Sequence, residues 1–179
     1  MRSNSQRRPR RLAAAQRIAA LEQALEQARR LLHQDDLTPL LNRRGFRRVC
    51  DRWGGPAAGP TCCVMIDLDG FKAINDRHGH SLGDAALVHF AAMLRQHVRP
   101  ADAIARLGGD EFALVLVDCS GDNVCHVLKR LQEALAGSPL PGGSVTLRFS
   151  AGVAERQTNE SLAQALERAD AALLDAKRR

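Results

Sequence analysis

The segment ARLGGDEFALVLVD, residues 105–118, decides the expected fold of this chain. Two glycines separate a short apolar stretch from a second one rich in Val and Leu, a pattern typical of two strands joined by a tight turn. Asp110 and Glu111 follow the glycines directly, where the second strand begins. These paired carboxylates indicate either a functional site or, as the structural alternative, a tight turn with solvated acids.

A second apolar run also ends in acids. The stretch TCCVMIDLD, residues 61–69, has the pattern of a buried strand and closes with Asp67 and Asp69. If the two strands are neighbours in one sheet, Asp67 and Asp110 converge at the same edge. Carboxylates at close range resist ionising together, and a divalent cation relieves that repulsion. Mg²⁺ is typically held by one or two carboxylates together with substrate phosphates.

The residues around these acids suit phosphate groups. Gly108 and Gly109 have no side chains, so their backbone N–H groups can approach phosphate oxygens closely. Lys72 supplies a cation shortly after the first strand. Together with the carboxylates, this pattern predicts a nucleoside triphosphate site that uses metal-assisted attack at phosphorus.

Strands and helices alternate along the chain, but the hairpin interrupts the alternation. This pattern predicts an α+β domain with a mixed sheet and helices packed on it. A helix is expected to begin near Asn42, after a break at Pro39, and the closing helix is expected to be capped by Asn159 or Ser161. The other predicted elements are a helix at 81–98, a helix at 122–135 and a strand at 144–154.

The N-terminal region is basic and then amphipathic. No acidic residue precedes Glu22, and we expect residues 1–11 to be a disordered tail, with nucleic-acid or anionic-membrane contact as the less favoured alternative. Residues 12–34 are expected to form a helical coiled-coil stalk, the alternative being a helix that lies on its own domain. The stalk stripe consists of Ile18, Leu21, Leu25, Ala28 and Leu32.

Composition limits the remaining classes. The 179 residues, 45% of them hydrophobic, suffice for one domain with a core, placed here at residues 35–179. No run is long enough for a membrane span, and the arginine-rich start lacks the apolar stretch of a secretory signal. The five cysteines have no CxxC spacing, so we interpret them as reduced residues in or near the core of a cytoplasmic protein.

Several ordered motifs resemble one family, the GGDEF-domain diguanylate cyclases. The pentapeptide GGDEF stands at 108–112, and MIDLDGFKAINDRHGHSLGD at 65–84 is similar to the long central motif of the family. DDLTPLLNRRGF at 35–46 resembles its opening segment, and RFSAGVA and RADAALLDAK resemble its later strand and last helix. The resemblance implies a palm-like fold and the conversion of two GTP into cyclic di-GMP and two pyrophosphates with Mg²⁺ or Mn²⁺.

The resemblance also implies roles for individual residues. Asp67 and Asp110 would bind metal together with the Leu68 carbonyl, Asp110 would help to activate the ribose 3′-hydroxyl, and Glu111 would lie beside them. The residues implied to bind the substrate are Asn75 and Asp84 for the guanine edge, and Lys72, Gly108, Gly109 and Lys177 for the phosphates. Each domain would hold one GTP, so two chains must face each other, and a homodimer through the N-terminal helix would bring them together.

A further family feature is the sequence RPAD, which contains Arg99 and Asp102 five residues before the glycine pair. In the family this spacing marks an inhibitory site at which cyclic di-GMP stops turnover, although an RxxD sequence alone is a common surface pattern. The chain departs from the family in its last helix. Leu174 replaces a tyrosine there, and Arg178 or Arg179 would have to substitute for a downstream phosphate-binding arginine.

Three other functions are alternatives to the cyclase. A catalytically inactive domain would act as a receptor for cyclic di-GMP through Arg99 and Asp102, or for GTP through its former active site. A cyclase that makes a mononucleotide would contact the base differently from Asn75 and Asp84. Nucleic-acid binding through the arginine tail is the least favoured, and would be lost at high salt and on deletion of residues 1–11.

Overall fold

The strand Thr61–Leu68 (β1) lies at the centre of the sheet in the computed structural model, which describes residues 7–55, 59–140 and 145–178. Ala103–Gly108 (β2) and Glu111–Val117 (β3) form the expected hairpin, and Phe149–Glu155 (β4) completes a sheet of order β2-β3-β1-β4. The helices are Arg7–His33 (α1), Arg43–Trp53 (α2), Phe71–His78 (α3), His80–His97 (α4), Gly121–Ala136 (α5) and Leu162–Lys177 (α6).

The α+β class is confirmed, but the expectation of a mixed sheet is wrong, because β3 pairs antiparallel with both β1 and β2, and β4 pairs antiparallel with β1. The reason lies in the helical connections. β1 and β2 run the same way but are separated by β3, and β3 and β4 run the same way but are separated by β1. Across the described ranges, a single bridge between Leu41 and Ala105 is the one parallel contact.

Side chains alternate along β1 and form two apolar layers. Cys63 and Met65 face α2 and α6, whereas Val64 and Ile66 face α4 and α5. On the second face Phe90 packs edge-on against Phe112, with ring centroids 4.8 Å apart. Burying such a side chain contributes about 1.5–3 kcal/mol, so both layers fix the position of the strand that carries Asp67.

The stalk helix begins at Arg7. Residues 7–11, which the sequence predicts to be part of a disordered tail, are therefore helical. Arginine is a good helix former. Pro9 is tolerated because it lies in the first turn, where backbone N–H groups have no partner within the helix, so the N–H that proline lacks is not needed. Residues 1–6 lie outside the described residues. Ile18, Leu21 and Leu25 are 56, 64 and 53% exposed, which argues against a helix packed on its own domain.

Asn42 joins the stalk to the domain. Its Nδ2 donates to the carbonyls of Leu32 and Gln34 at the end of α1, and its Oδ1 accepts from the N–H of Gly45 at the start of α2. One side chain therefore caps two helices, and α1 ends at His33, ahead of the expected break at Pro39. The division of the chain into tail, stalk and catalytic domain remains a prediction.

The later elements follow the expected order with one shortened strand. β4 begins at Phe149, so residues 145–148 of the expected strand are not part of the sheet, and residue 144 lies outside the described residues. The carbonyl of Val145 accepts instead from the backbone N–H of Leu140 at 2.9 Å. Ser161 caps α6, and its hydroxyl accepts from the N–H of Gln164. Within the described ranges, no helix combines the length and apolar character required to cross a bilayer.

Four of the five cysteines are buried, and Cys125 is exposed. Burial raises the pKa of Cys50 to about 11, and that of Cys62 and of Cys63 to about 12. These three thiols are therefore protonated at neutral pH and behave as small apolar groups, as the sequence predicts.

Candidate active site

The glycine turn between β2 and β3 has a backbone that other residues rarely adopt. Gly108 has a φ of 146° and Gly109 a φ of 54°, and the ladder shifts by one residue between Arg106 and Gly108. Both glycines are exposed, with open space where a Cβ would lie. The turn therefore presents bare backbone to the solvent beside the carboxylates, as a phosphate-binding loop requires.

The strand register brings the predicted carboxylates together. Asp67 of β1 lies directly opposite Glu111 of β3, so their side chains are on the same face of the sheet. The N–H of Leu68 donates to the carbonyl of Asp110 at 3.3 Å, which holds the end of the glycine turn against the end of β1. The sequence-based expectation that the two strands are neighbours is thus confirmed.

Two basic side chains contact these acids. Lys177, the last residue of α6, forms an ion pair with Asp67, whose side chain is 16% exposed. Arg43, the first residue of α2, donates from Nε to the Leu107 carbonyl at 3.2 Å, and its Nη2 lies 3.7 Å from Glu111 Oε2. The acids therefore lie in a positive environment even without a nucleotide.

The residues present fit a divalent metal ion. Asp67 already faces a cationic group, which shows that a positive charge can reach its carboxylate. Two carboxylates and a backbone carbonyl at adjacent strand ends are the hard oxygen donors that Mg²⁺ and Mn²⁺ take. In the described part of the chain, no cluster of three or more His, Cys, Asp or Glu side chains forms a metal site. Mg²⁺ is typically held by one or two carboxylates together with substrate phosphates.

α3 and α4 carry Asn75 and Asp84, predicted to recognise guanine, and Lys72, predicted to bind phosphate. Lys72 is exposed in the first turn of α3, and Asn75 is half-buried one turn later. Asp84 is exposed near the start of α4. A Cβ at the buried Gly83 would collide with Asn75 Oδ1, so this glycine makes room for the Asn75 side chain beside Asp84.

Arg99 and Asp102 lie at the other end of β2. The Asp102 carboxylate accepts from the N–H of Arg99 at 3.2 Å and from the N–H of Val117 at 3.0 Å, so it closes a turn and fastens it to β3. Arg99 is exposed, and both residues line a cavity of about 280 Å³ together with His126 and Arg130 of α5. The structure therefore places a second arginine beside the RxxD pair.

Sequence reasoning missed four residues of these sites, namely Arg43, Gly83, Arg106 and Arg130. Gly83 did carry a signal, because a glycine inside a helix costs about 1 kcal/mol relative to alanine and needs a packing reason. Arg43 and Arg130 carried none, because each contacts an element distant in the sequence, and Arg106 carried none although its Nε donates to the Gly109 carbonyl only three residues later.

Comparison with known proteins agrees with this geometry. The family model described as diguanylate cyclase, GGDEF domain, matches residues 32–179. The chain is 36% identical over 164 residues to diguanylate cyclase DgcP of Pseudomonas aeruginosa, covering 89% of this chain and 24% of DgcP. It is 35% identical over 160 residues to diguanylate cyclase DgcM of Escherichia coli, covering 88% of this chain and 38% of DgcM. The chain thus spans well under half of these relatives.

A solved structure matches nearly the whole chain. The coiled coil and GGDEF domain of DgcB from Caulobacter crescentus, in complex with c-di-GMP, superposes with a TM-score of 0.83 at 31% identity. The match covers 96% of this chain and 94% of that one, and so includes both the stalk helix and the sheet. The glycine turn, the opposed carboxylates and these likenesses lead to one conclusion: this chain belongs to the GGDEF-domain family of diguanylate cyclases.

Proposed function

We propose that this protein is a diguanylate cyclase, which condenses two GTP into cyclic di-GMP and two pyrophosphates. The observation that carries the proposal is the register of β1 and β3, which opposes Asp67 to Glu111 next to Asp110 and an exposed glycine turn. The reaction needs oxygen donors for a divalent cation next to backbone N–H groups for phosphate, and this strand end offers both.

Different residues bind different parts of the substrate. The N–H groups of Gly108 and Gly109 bind phosphate oxygens, together with Lys72 and Lys177. Asn75 and Asp84 bind the guanine edge, since an amide and a carboxylate offer the acceptors that its N1–H and N2–H₂ donors need. Asp110 accepts a hydrogen bond from the 3′-hydroxyl and orients it toward the α-phosphate of the second GTP.

Asp67, Asp110 and the Leu68 carbonyl would hold Mg²⁺ or Mn²⁺. When bound, the cation offsets the negative charge of the phosphates and of the reacting oxygens. Arg43 Nη2 lies 3.7 Å from the Glu111 carboxylate at the edge of this group. Because GTP is a cytoplasmic nucleotide, the proposal places the reaction in the cytoplasm.

Two chains are needed, since each domain holds one GTP and its 3′-hydroxyl must attack the nucleotide of the other domain. We propose that the stalk helix forms a parallel homodimer that brings the two half-sites face to face. The support is the stalk stripe, in which Ile18, Leu21, Leu25 and Leu32 are each about half or more exposed in the single chain. An unpartnered apolar stripe on a helix is stabilised by a second copy.

The Arg99 cavity is proposed to bind the product, cyclic di-GMP, and to stop turnover. Guanidinium groups match both phosphate oxygens and the O6/N7 edge of guanine, and Arg99 and Arg130 line the same cavity with Asp102. Asp102 is held by two backbone N–H groups, which keeps the turn in one conformation.

The test is to incubate the protein with GTP and Mg²⁺ and to resolve the nucleotides by chromatography. We expect cyclic di-GMP from the unmodified protein and none from the Asp110→Ala variant. Asp122→Ala is the matched control, because Asp122 is an exposed acid at the start of α5. An equal yield from the unmodified protein and Asp110→Ala would contradict the assigned role of Asp110.

A receptor for cyclic di-GMP is the second candidate, because the Arg99 cavity uses none of the residues at the glycine turn. If no product forms, titration with cyclic di-GMP distinguishes the two candidates. Binding that is lost in Arg99→Ala and kept in Asp110→Ala would identify a receptor.

A further inference from the structure

An ion pair links the segment after the stalk to the strand that leads into the glycine turn. Arg106 Nη1 lies 3.1 Å from Asp35 Oδ1 and 3.2 Å from Asp35 Oδ2. The side chains of Arg106 and Asp35 are only 14 and 16% exposed. The pair is therefore shielded from solvent and joins residues 71 positions apart in the sequence.

The same guanidinium also holds the glycine turn. Arg106 Nε donates to the carbonyl of Gly109 at 2.9 Å. The next carbonyl, that of Asp110, accepts from the N–H of Leu68 at 3.3 Å. Two successive peptide groups at the start of the carboxylate pair are thus fixed from opposite sides, one by Arg106 and one by β1.

Asp35 is itself held rigidly. Its Oδ1 accepts from the N–H of Thr38 at 2.9 Å and from the Thr38 hydroxyl at 2.7 Å. Thr38 is 4% exposed. Burial raises the pKa of Asp35, but the hydrogen bonds from Thr38 and Arg106 outweigh it and leave the pKa below its ordinary value. Asp35 is therefore an ionised and immobile partner for Arg106 at neutral pH.

Asp35 also lies next to the stalk. α1 ends at His33, two residues earlier, and the N–H of Asp35 donates to the carbonyl of Leu40 at 3.0 Å. The following backbone runs along β2, where Leu41 donates to the carbonyl of Ile104 and accepts from the N–H of Arg106. The end of the stalk, Asp35 and the glycine turn thus form one hydrogen-bonded series.

We infer that Asp35 is a positioning residue for the reaction, acting through Arg106 to hold the Gly109 carbonyl and thereby the backbone that carries Asp110. The inference rests on the proposed cyclase function. The contact also makes the segment after the stalk a part of the active-site framework. A displacement of about 1 Å at a reacting group costs roughly a hundredfold in rate, so this support has a large effect.

The first test compares Asp35→Asn with Glu160→Gln. Glu160 pairs with Arg168 at 2.8 Å, near the opposite end of the sheet from the glycine turn, and is the matched control. We expect Asp35→Asn to lower kcat roughly tenfold to a hundredfold with little change in KM. Both variants should lower the melting temperature by a similar amount, but Glu160→Gln should leave kcat unchanged. Equal kcat values in the two variants would overturn the inference.

Arg106→Lys separates positioning from stability. A lysine can still pair with Asp35, but it lacks the planar fork that also reaches the Gly109 carbonyl. We expect this variant to melt close to the unmodified protein and to lose kcat. A variant with full kcat would contradict the role of the Gly109 contact.

Hydrogen exchange supplies a readout that does not depend on catalysis. In Asp35→Asn, the amides of residues 107–112 should exchange faster, while those of β4 keep their protection. Unchanged exchange at 107–112 would overturn the positioning role. A protein that makes no cyclic di-GMP, but whose exchange rises at these residues in the variant, would contradict the cyclase proposal alone.

Discussion

Lys177 and Asp67 form an ion pair at the end of the sheet, although α6 and β1 are separated by most of the chain. The last residue of the last helix therefore contacts the carboxylate proposed to bind metal. With a nucleotide present, the same ammonium group would face the triphosphate, so Lys177 has two competing anionic partners.

The Lys177→Met variant should bind GTP more weakly. A hydrogen bond between charged groups contributes about 1.5–3 kcal/mol, so KM for GTP is expected to rise about tenfold or more. Steady-state kinetics at saturating Mg²⁺ measures this change. Lys129→Met on α5 is the matched control and should leave KM unchanged, since Lys129 is exposed on a different helix. A KM unaffected in Lys177→Met would remove this residue from the site.

Gly83→Ala should impair substrate binding without unfolding the protein. The new methyl group would displace the Asn75 side chain, whose Oδ1 occupies the place where the Cβ would lie. Alanine also favours a helix by about 1 kcal/mol over glycine, so the melting temperature should hold or rise. The expected result is a KM for GTP raised about tenfold. Ser81→Ala, in the same turn of α4, serves as control, and a KM equal in both variants would count against the guanine role of Asn75.

The double variant Leu21→Asp, Leu25→Asp should separate the two chains of the proposed dimer. Charges on an apolar seam remove its hydrophobic contact and repel one another across the interface. Light scattering should report a monomer, and product formation per protein should fall most at low protein concentration. Gln23→Asp with Gln27→Asp, which adds the same charges away from the stripe, should leave the mass unchanged. The stalk proposal would be contradicted if the unmodified protein were a monomer and had the same specific activity as the Leu21→Asp, Leu25→Asp variant.

The Glu160–Arg168 pair should make stability depend on pH. Hydrogen bonds from Arg168 and from the N–H of Gln157 lower the pKa of Glu160 from 4.5 to about 2. A carboxyl group whose pKa is depressed in the folded state stabilises it fully above pH 4.5 and loses that effect as the pH falls toward 2. Urea midpoints at neutral pH and at about pH 3 should therefore differ less in Glu160→Gln than in the unmodified protein. If the unmodified protein and Glu160→Gln showed the same pH dependence, the lowered pKa of Glu160 would not be its cause.

The parts of the fold set by local pattern could be predicted from the sequence. The glycines between the short run at 103–107 and the run that begins at Glu111 identified a hairpin, and the run that ends in Asp67 identified a neighbouring strand. The strand order could not be predicted, because the sequence shows that helices connect the strands but not which strand lies between the connected ones. An antiparallel sheet resulted where a mixed one was expected.

The site could be predicted as far as its motifs extended. Asp67, Asp110 and Glu111 were identified because they lie at strand ends, where geometry brings them together. Arg106 and Asp35 were not identified, since their contact joins distant segments and nothing in either segment names the other. Arg43 was missed for the same reason, although it begins a helix whose position was predicted.

The strand β2 separates two sites by its own length. The turn at Arg99–Asp102 precedes its first residue, and its last residue, Gly108, belongs to the glycine turn, so the six residues of the strand span about 20 Å of extended chain between the two turns. A ligand in the Arg99 cavity would therefore leave the proposed GTP site of the same chain open. Product bound there would reduce the maximal rate without competing for substrate, so an excess of GTP would not restore the activity.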